Sequence, residues 1–310
     1  MPIVIPDDEP AVIAPSAAFG KLAGHDVRTY ADRPSSVDEL VARIGDAEIV
    51  INIRSTSTFT ADVFEKCPQL RLISIWGTGT DNVDLEAARL RGVRVTNTPG
   101  VSAISVAEHT LALIMAVAKQ IVTVDREVRQ GQWPRAMVPL LRGKVLGLIG
   151  TGAIGREVAR LGRAIGMRVV AWTFHPDGDT AEWVEFDEVF RQADVVSVHV
   201  RQSPDTSGFI RREHFEMMKP GAIFINTARG AVVKEADLID VLQKNRIAGA
   251  GLDVFEHEPL RPGSPLHSLT NVVLTPHAAG ITPETTEAGL ALAIDNVLAF
   301  LAGRPMNVVV

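Results

Sequence analysis

Nine short apolar runs rich in β-branched residues punctuate this chain, at 48–53, 70–76, 93–96, 145–149, 168–172, 195–200, 222–226, 250–254 and 272–274, with helix-like segments alternating between them. Strand and helix in alternation build βαβ units, whose crossover helices make neighbouring strands run parallel. The predicted class is therefore α/β. A chain of 310 residues has the length for two domains, at roughly 150 residues each.

Composition narrows the function classes. Hydrophobic residues make up 46% and charged residues 22%, the ordinary mix of a globular chain. The formal charge of −6 provides no global positive field to gather nucleic acid or anionic lipid. The longest apolar run, 111–118, is far short of the roughly 20 residues that cross a bilayer. The opening MPIVIPDDEPAVIAP carries no basic residue, so a secretory leader is not expected and a cytoplasmic location is. A single cysteine, Cys67, permits neither an internal disulfide nor a cysteine zinc cluster.

One stretch breaks the alternation. From Ser105 the chain has no Gly or Pro until Gly131. The spacing predicts one helix of about 25 residues, near 38 Å at 1.5 Å per residue. Ser105 and Glu108 fit a capping box, and Ile114, Val117, Ile121, Val124 and Val128 fall on one face. Such a helix serves a core, a bridge between lobes, or a seam between two copies.

The run 145–149 leads into Gly150-Thr151-Gly152-Ala153-Ile154-Gly155, then a helical stretch and the run 168–172. Strand, glycine loop, helix and second strand form the dinucleotide fingerprint. Gly150 permits a tight turn, Gly152 lets the backbone approach a pyrophosphate, and Gly155 allows close packing of helix on strand. The helix start offers free amides and a partial positive charge to the phosphates. The implied cofactor is NAD or NADP. Its ribose is read about 20 residues on, where Thr173 stands. No acid is present to prefer a 2′-hydroxyl, no Arg adjoins to hold a 2′-phosphate, and His175 contributes only weakly. NADP is permitted and NAD is not excluded.

Three later segments follow apolar runs: Asn226-Thr227-Ala228-Arg229-Gly230, Asp253-Val254-Phe255-Glu256-His257-Glu258-Pro259, and Thr275-Pro276-His277-Ala278-Ala279-Gly280. In an open parallel sheet the carboxyl ends of strands line the ligand crevice, so an Arg, a Glu and a His can converge there. Hydride exchange at a carbinol carbon needs a general acid/base, a role that suits His277, with His257 as a competitor. It needs an anion that orients the imidazole and stabilises its protonated form, which suits Glu258. It needs a bidentate cation for a carboxylate, which suits Arg229 better than any Lys. Asp253 can accept from a nicotinamide carboxamide. The cofactor-side candidates are Gly150, Gly152, Ala153, Ile154, Gly155, Thr173, His199, Thr227, Asp253 and Gly280. H-E-x-x-H and G-x-S-x-G are both absent, which argues against a metal centre and a serine nucleophile.

With these motifs, and with Trp76-Gly77-Thr78-Gly79-Thr80-Asp81-Asn82-Val83-Asp84 and Asn97-Thr98-Pro99-Gly100, nearly the whole chain resembles the D-isomer-specific 2-hydroxyacid dehydrogenases. The resemblance implies two Rossmann-like or flavodoxin-like parallel-sheet domains with a cleft between them. A substrate domain of 1–98 plus 283–310 would flank a dinucleotide-binding domain of 99–282. It implies that Arg229 binds the substrate carboxylate, that Glu258 and His277 form the acid/base dyad, which resolves His257 in favour of His277, and that Asp253 contacts nicotinamide. Arg54, Trp76, Gly77, Thr78 and Gly79 would line the substrate side. The long helix would serve a homodimer, and no appended regulatory domain is expected after Val310. Ile75 stands where phosphoglycerate-oxidising relatives tend to carry Arg, so poor use of 3-phosphoglycerate is expected. A dinucleotide-sensing regulatory protein of the same fold is the alternative, and the Arg229, Glu258 and His277 set favours the enzyme.

Overall fold

In the computed structural model, which describes residues 1–53, 56–135 and 137–310, every strand ladder is parallel. The chain divides into two units, Met1–Ser102 with Ile281–Val310, and Ala103–Gly280.

The first unit holds β1 (Ile3–Ile5), β2 (Val27–Thr29), β3 (Ile49–Asn52), β4 (Leu72–Ile75) and β5 (Arg94–Thr96) in the order β2-β1-β3-β4-β5. That is the flavodoxin-like order. Helices α1 (Val37–Ile44), α2 (Ala61–Lys66) and α3 (Leu85–Leu90) bury Leu40, Ile44, Val63, Phe64 and Ala88 with Val4, Val50, Ile73 and Val95. The last helix, α10 (Pro283–Leu301), buries Leu290, Ala293, Ile294 and Val297 with Ile3, Ile5, Ile49, Ile51 and Leu72. Alternate strand residues thus feed two cores, as the pleat requires. β1 and β2 were not among the runs read from the sequence. Cys67 sits in the first core at 2% exposure, and burial pushes its thiol above the usual range, which makes it a poor nucleophile.

The second unit holds β6 (Val145–Ile149), β7 (Arg168–Trp172), β8 (Glu182–Trp183), β9 (Val195–Val198), β10 (Ile223–Asn226), β11 (Gly249–Leu252) and β12 (Val272–Leu274). The order β12-β11-β10-β9-β6-β7-β8 is the doubly wound dinucleotide-binding order with one strand added, reversing between β6 and β9. Its helices are α4 (Ala103–Ala118), α5 (Ile121–Arg129), α6 (Ala153–Ala164), α7 (Phe186–Gln192), α8 (Arg212–Met217) and α9 (Glu235–Gln243).

The single long helix expected from Ser105 is in fact two, α4 and α5, bent by 58°. Gln120 between them adopts a left-handed φ of 52°. The cause is a change of environment along the stripe. Ala107, Leu113, Ile114 and Ala118 of α4 pack in a core with Leu146, Leu148 and Val158, whereas no residue of α5 is buried. The expected capping box is also absent. The helix starts earlier, at Ala103, Ser105 Oγ donates to the Ala279 carbonyl at 2.7 Å, and Glu108 is exposed.

Candidate active site

The glycine loop lies at the switch point of the second sheet. Gly150 has φ 98°, and a Cβ there would lie 2.8 Å from the His199 carbonyl. A Cβ on Gly155 would lie 2.2 Å from the Gly150 oxygen, so α6 seats directly on the loop. Gly152 is different: a Cβ there meets open space. It is also the N-cap of α6 and makes no side-chain cap bond, which leaves the amides of the Ala153–Ile154 turn without a side-chain acceptor. Beside the loop, His199 Nε2 meets Ser197 Oγ at 2.9 Å, while its Nδ1 is shut off from solvent without a partner among the described residues. Burial pushes this imidazole down to about 3, so it is neutral at physiological pH. Uncapped amides, an open glycine and an unsatisfied buried nitrogen suit an anionic, hydroxyl-rich dinucleotide.

Thr173 directly follows β7 and is half-buried. No arginine adjoins Thr173 in the sequence, but one comes to its loop from α6. Arg156, in the first turn of α6, donates Nε to the Thr151 carbonyl at 3.0 Å and pairs through Nη2 with both oxygens of Asp177 at 3.0 Å. Asp177 is on the same loop as Thr173. A cation therefore reaches the loop from the helix rather than from neighbours in sequence. The signal available was the Arg that immediately follows Gly155.

At the carboxyl end of β10, Asn226 shapes the turn: its Nδ2 donates to the Arg229 carbonyl and its Oδ1 accepts from the Ala228 amide, both at 3.0 Å. Arg229 Nη1 donates to the Ala228 carbonyl at 2.8 Å. At the end of β11, Glu258 Oε1 accepts from the Phe255 amide at 3.0 Å. At the end of β12, His277 Nδ1 meets Glu258 Oε2 at 2.6 Å. Its Nε2 makes no hydrogen bond among the described residues. Partial burial pushes the Glu258 carboxyl up, but the His277 hydrogen bond and charge, the Phe255 amide and the Arg229 charge outweigh it and hold the group below the usual carboxylate range. The structure thus brings Arg229, Glu258 and His277 together. It pairs Glu258 with His277, while His257 is exposed.

Two features of this cluster were not visible in sequence. A Cβ on Gly230 would lie 1.9 Å from the Phe255 carbonyl, so the loops carrying Arg229 and Glu258 touch through a glycine. His277 itself has φ 53°, a left-handed conformation that costs a non-glycine residue about 1–2 kcal/mol. It is held by its own amide, which donates to the Asp253 carbonyl at 2.7 Å. Asp253, 1% exposed, accepts from Thr275 Oγ at 2.6 Å and from the Ala278 and Ala279 amides at 2.9 Å. Its carboxylate is engaged with the turn that carries His277. Thr227 Oγ lies 2.9 Å from Thr110 Oγ, and Gly280 ends the unit.

The substrate-side candidates belong to the other unit. The Trp76 amide donates to the Asn52 carbonyl at 2.9 Å. Gly77, with φ 135°, donates to Thr98 Oγ at 2.8 Å, and Asn97 Nδ2 donates to the Thr78 carbonyl at 2.8 Å. The Trp76 indole packs on α10, where a Cβ on Gly289 would lie 2.1 Å from Nε1. The Trp76 indole therefore packs within its own unit, where the Gly77 amide and the Thr78 carbonyl also find their partners. Ile75 is buried in the first core. Arg54 lies outside the described residues.

The family model for the NAD-binding domain of D-isomer specific 2-hydroxyacid dehydrogenases matches residues 111–279. The chain belongs to that family. Among the relatives of this dehydrogenase, a glyoxylate reductase of Korarchaeum cryptofilum is 38% identical over 290 residues, 90% of this chain and 87% of that one. A D-3-phosphoglycerate dehydrogenase of Archaeoglobus fulgidus is 40% identical over 270 residues, 84% of this chain and 51% of that one, so this chain spans about half of that relative. A solved acyclic imino acid reductase in complex with NADPH and D-Arg superposes with a TM-score of 0.92 at 30% identity and covers 100% of both chains. The dehydrogenase is accordingly an oxidoreductase that uses a nicotinamide dinucleotide.

Proposed function

We propose that this dehydrogenase interconverts a small 2-keto acid and its D-2-hydroxy acid, with reduction as the favoured direction. The observation that carries the reading is the 2.6 Å bond between His277 and Glu258, with the Arg229 charge acting on the same carboxylate. When bound, the nicotinamide supplies or accepts the hydride at C2. His277 Nε2 gives the carbonyl oxygen its proton, and Glu258 keeps the ring oriented and its positive charge stabilised. Arg229 grips the carboxylate and draws an anionic substrate to a protein whose net charge is −6. The Gly150–Gly155 loop and the first turn of α6 would hold the pyrophosphate, with Thr173 at the ribose and His199 behind the loop.

The test is turnover of a panel of 2-keto acids with NADH and with NADPH. Glyoxylate or hydroxypyruvate is expected to give the highest kcat/KM, and 3-phosphoglycerate a much lower one, because 75–80 contains no cation. Binding of dinucleotide without turnover of any member would move the protein to the dinucleotide-sensing reading. A higher kcat/KM for 3-phosphoglycerate would reject the small-substrate assignment.

Cofactor choice is relaxed, with Arg156 as the reader of a 2′-phosphate and Asp177 as the anion that occupies it otherwise. Arg156→Gln is expected to weaken NADPH binding, read by fluorescence titration, by about tenfold, or about 1.4 kcal/mol, and NADH binding by less than about twofold. Asp177→Asn should tighten NADPH. Equal losses for both cofactors would remove Arg156 from this role.

The protein acts as a cytoplasmic homodimer. Support comes from apolar side chains on and after α5 that face solvent: Ile121 at 53%, Trp133 at 76%, Met137 at 100% and Leu140 at 69% exposure. A second copy covers them. Light scattering should give about twice 33.4 kDa; a monomeric mass across micromolar concentrations would refute the dimer.

A further inference from the structure

We propose that His109 on α4 is a positioning residue for the acid/base group, acting through a directed hydrogen-bond chain from His109 to Thr275 to Asp253. This rests on the reading of His277 as the acid/base. Thr275 Oγ lies 2.6 Å from Asp253 Oδ1 and 2.9 Å from His109 Nε2. A hydroxyl has one hydrogen. At the shorter contact its partner is a carboxylate oxygen, so that hydrogen goes to Asp253. The hydroxyl therefore accepts from His109, which must carry its proton on Nε2. The chain has one direction and no spare donor. His109 Nε2 is itself 3.6 Å from Asp253 Oδ1, so the helix residue sits directly over the carboxylate it is linked to.

What the chain holds is the turn that carries His277. The Asp253 carboxylate ties down the Ala278 and Ala279 amides that follow His277, and the Asp253 carbonyl receives the His277 amide. These bonds fix a left-handed residue whose ring must keep Nδ1 on Glu258. Without His109 the Thr275 hydroxyl loses its donor, its rotor is no longer set by the helix, and the aspartate grip on the turn loosens. Neighbouring residues of α4 reinforce the same edge. Ser105 Oγ donates to the Ala279 carbonyl at 2.7 Å. Thr110 gives its hydrogen to the Val106 carbonyl at 2.7 Å, so Thr227, next to Ala228 and Arg229, donates to Thr110. One helix thus braces the β10 and β12 ends, and His109 provides its link to Asp253.

The experiment is a double-mutant cycle on the intact enzyme, with glyoxylate and NADH. His109→Leu and Thr275→Val are each expected to lower kcat by about tenfold or more, with KM for the keto acid and the dissociation constant for NADH changed by less than about threefold. The double variant should fall no further than the worse single variant, because both break one chain. Thr275→Ser and His109→Gln, which keep the hydroxyl and the donor, should restore kcat to within about threefold. An independent readout needs no turnover: the downfield imidazole proton of the His277–Glu258 bond in the proton NMR spectrum should broaden or vanish in His109→Leu and persist in His109→Gln. Additive losses, or a His109→Leu enzyme with normal kcat and an unchanged downfield proton, would overturn the proposal. If His109→Leu fails to fold, Thr275→Val against Thr275→Ser decides by the same readouts. A His277→Asn enzyme that keeps full activity would instead fail the underlying reading, so the two failures are distinguishable.

Discussion

His277→Asn should lower kcat by roughly a hundredfold or more while the protein still folds and binds NADH. Asn suits the test because it is among the few residues that tolerate a left-handed backbone, and His277 has φ 53°. Its side-chain amide can still donate to Glu258, so the substitution removes proton transfer and little else. Rapid-mixing kinetics with glyoxylate, beside fluorescence titration of NADH, separate the chemical step from binding. A rate within a few-fold of the parent enzyme would reject His277 as the acid/base. Glu258→Gln should have a smaller effect, since it keeps an acceptor for the Phe255 amide but removes the charge that favours a protonated ring. Because Glu258 is held below the usual carboxylate range, its charge persists in mildly acidic buffer, and a loss of activity there is not due to Glu258.

Gly230→Ala is the second large effect. The added methyl would lie 1.9 Å from the Phe255 carbonyl carbon and oxygen and 2.5 Å from the Glu256 amide nitrogen. These are backbone atoms and cannot swing aside as a flexible side chain would. The β10 and β11 loops must separate, which moves Arg229 away from Glu258. Overpacking of this kind costs about 1–3 kcal/mol of stability, and at about 2–4 °C per kcal/mol the melting temperature should fall by several degrees. Activity should fall further, by roughly a hundredfold in kcat/KM, because misplacement by about 1 Å is costly to a reacting geometry. Gly221→Ala is the control, since a methyl there meets open space. A Gly230→Ala enzyme with the parent's activity and melting temperature would show that the two loops do not need this contact.

Much of this molecule was legible before any coordinates. The runs 145–149, 168–172 and 272–274 are strands with those same bounds, because alternation and β-branching are local properties of the chain. The glycine loop was equally legible, since a tight turn and close helix packing each leave only glycine as an option. Arg229, Glu258 and His277 each follow a strand, and a parallel sheet puts all such ends along one edge. Their assembly followed from topology alone.

Other features were settled only by packing. The stripe from Ile114 to Val128 continues through Gln120 without any Gly or Pro, and only the end of the buried face at Ala118 shows why the helix breaks there. Arg156 meets Asp177, 21 residues away, Ser105 meets Ala279 across 174, and His109 meets Thr275 across 166. Periodicity and motif spacing report what a backbone prefers over a few residues. They carry no record of which distant side chain will fill the remaining valence of a hydroxyl or a carboxylate. The sequence alone therefore determined the class of fold, the glycine loop and which polar residues follow the strand ends. The tertiary structure decided how those groups are held: a glycine that lets two loops touch, a left-handed histidine, and a helix that braces it through Thr275 and Asp253.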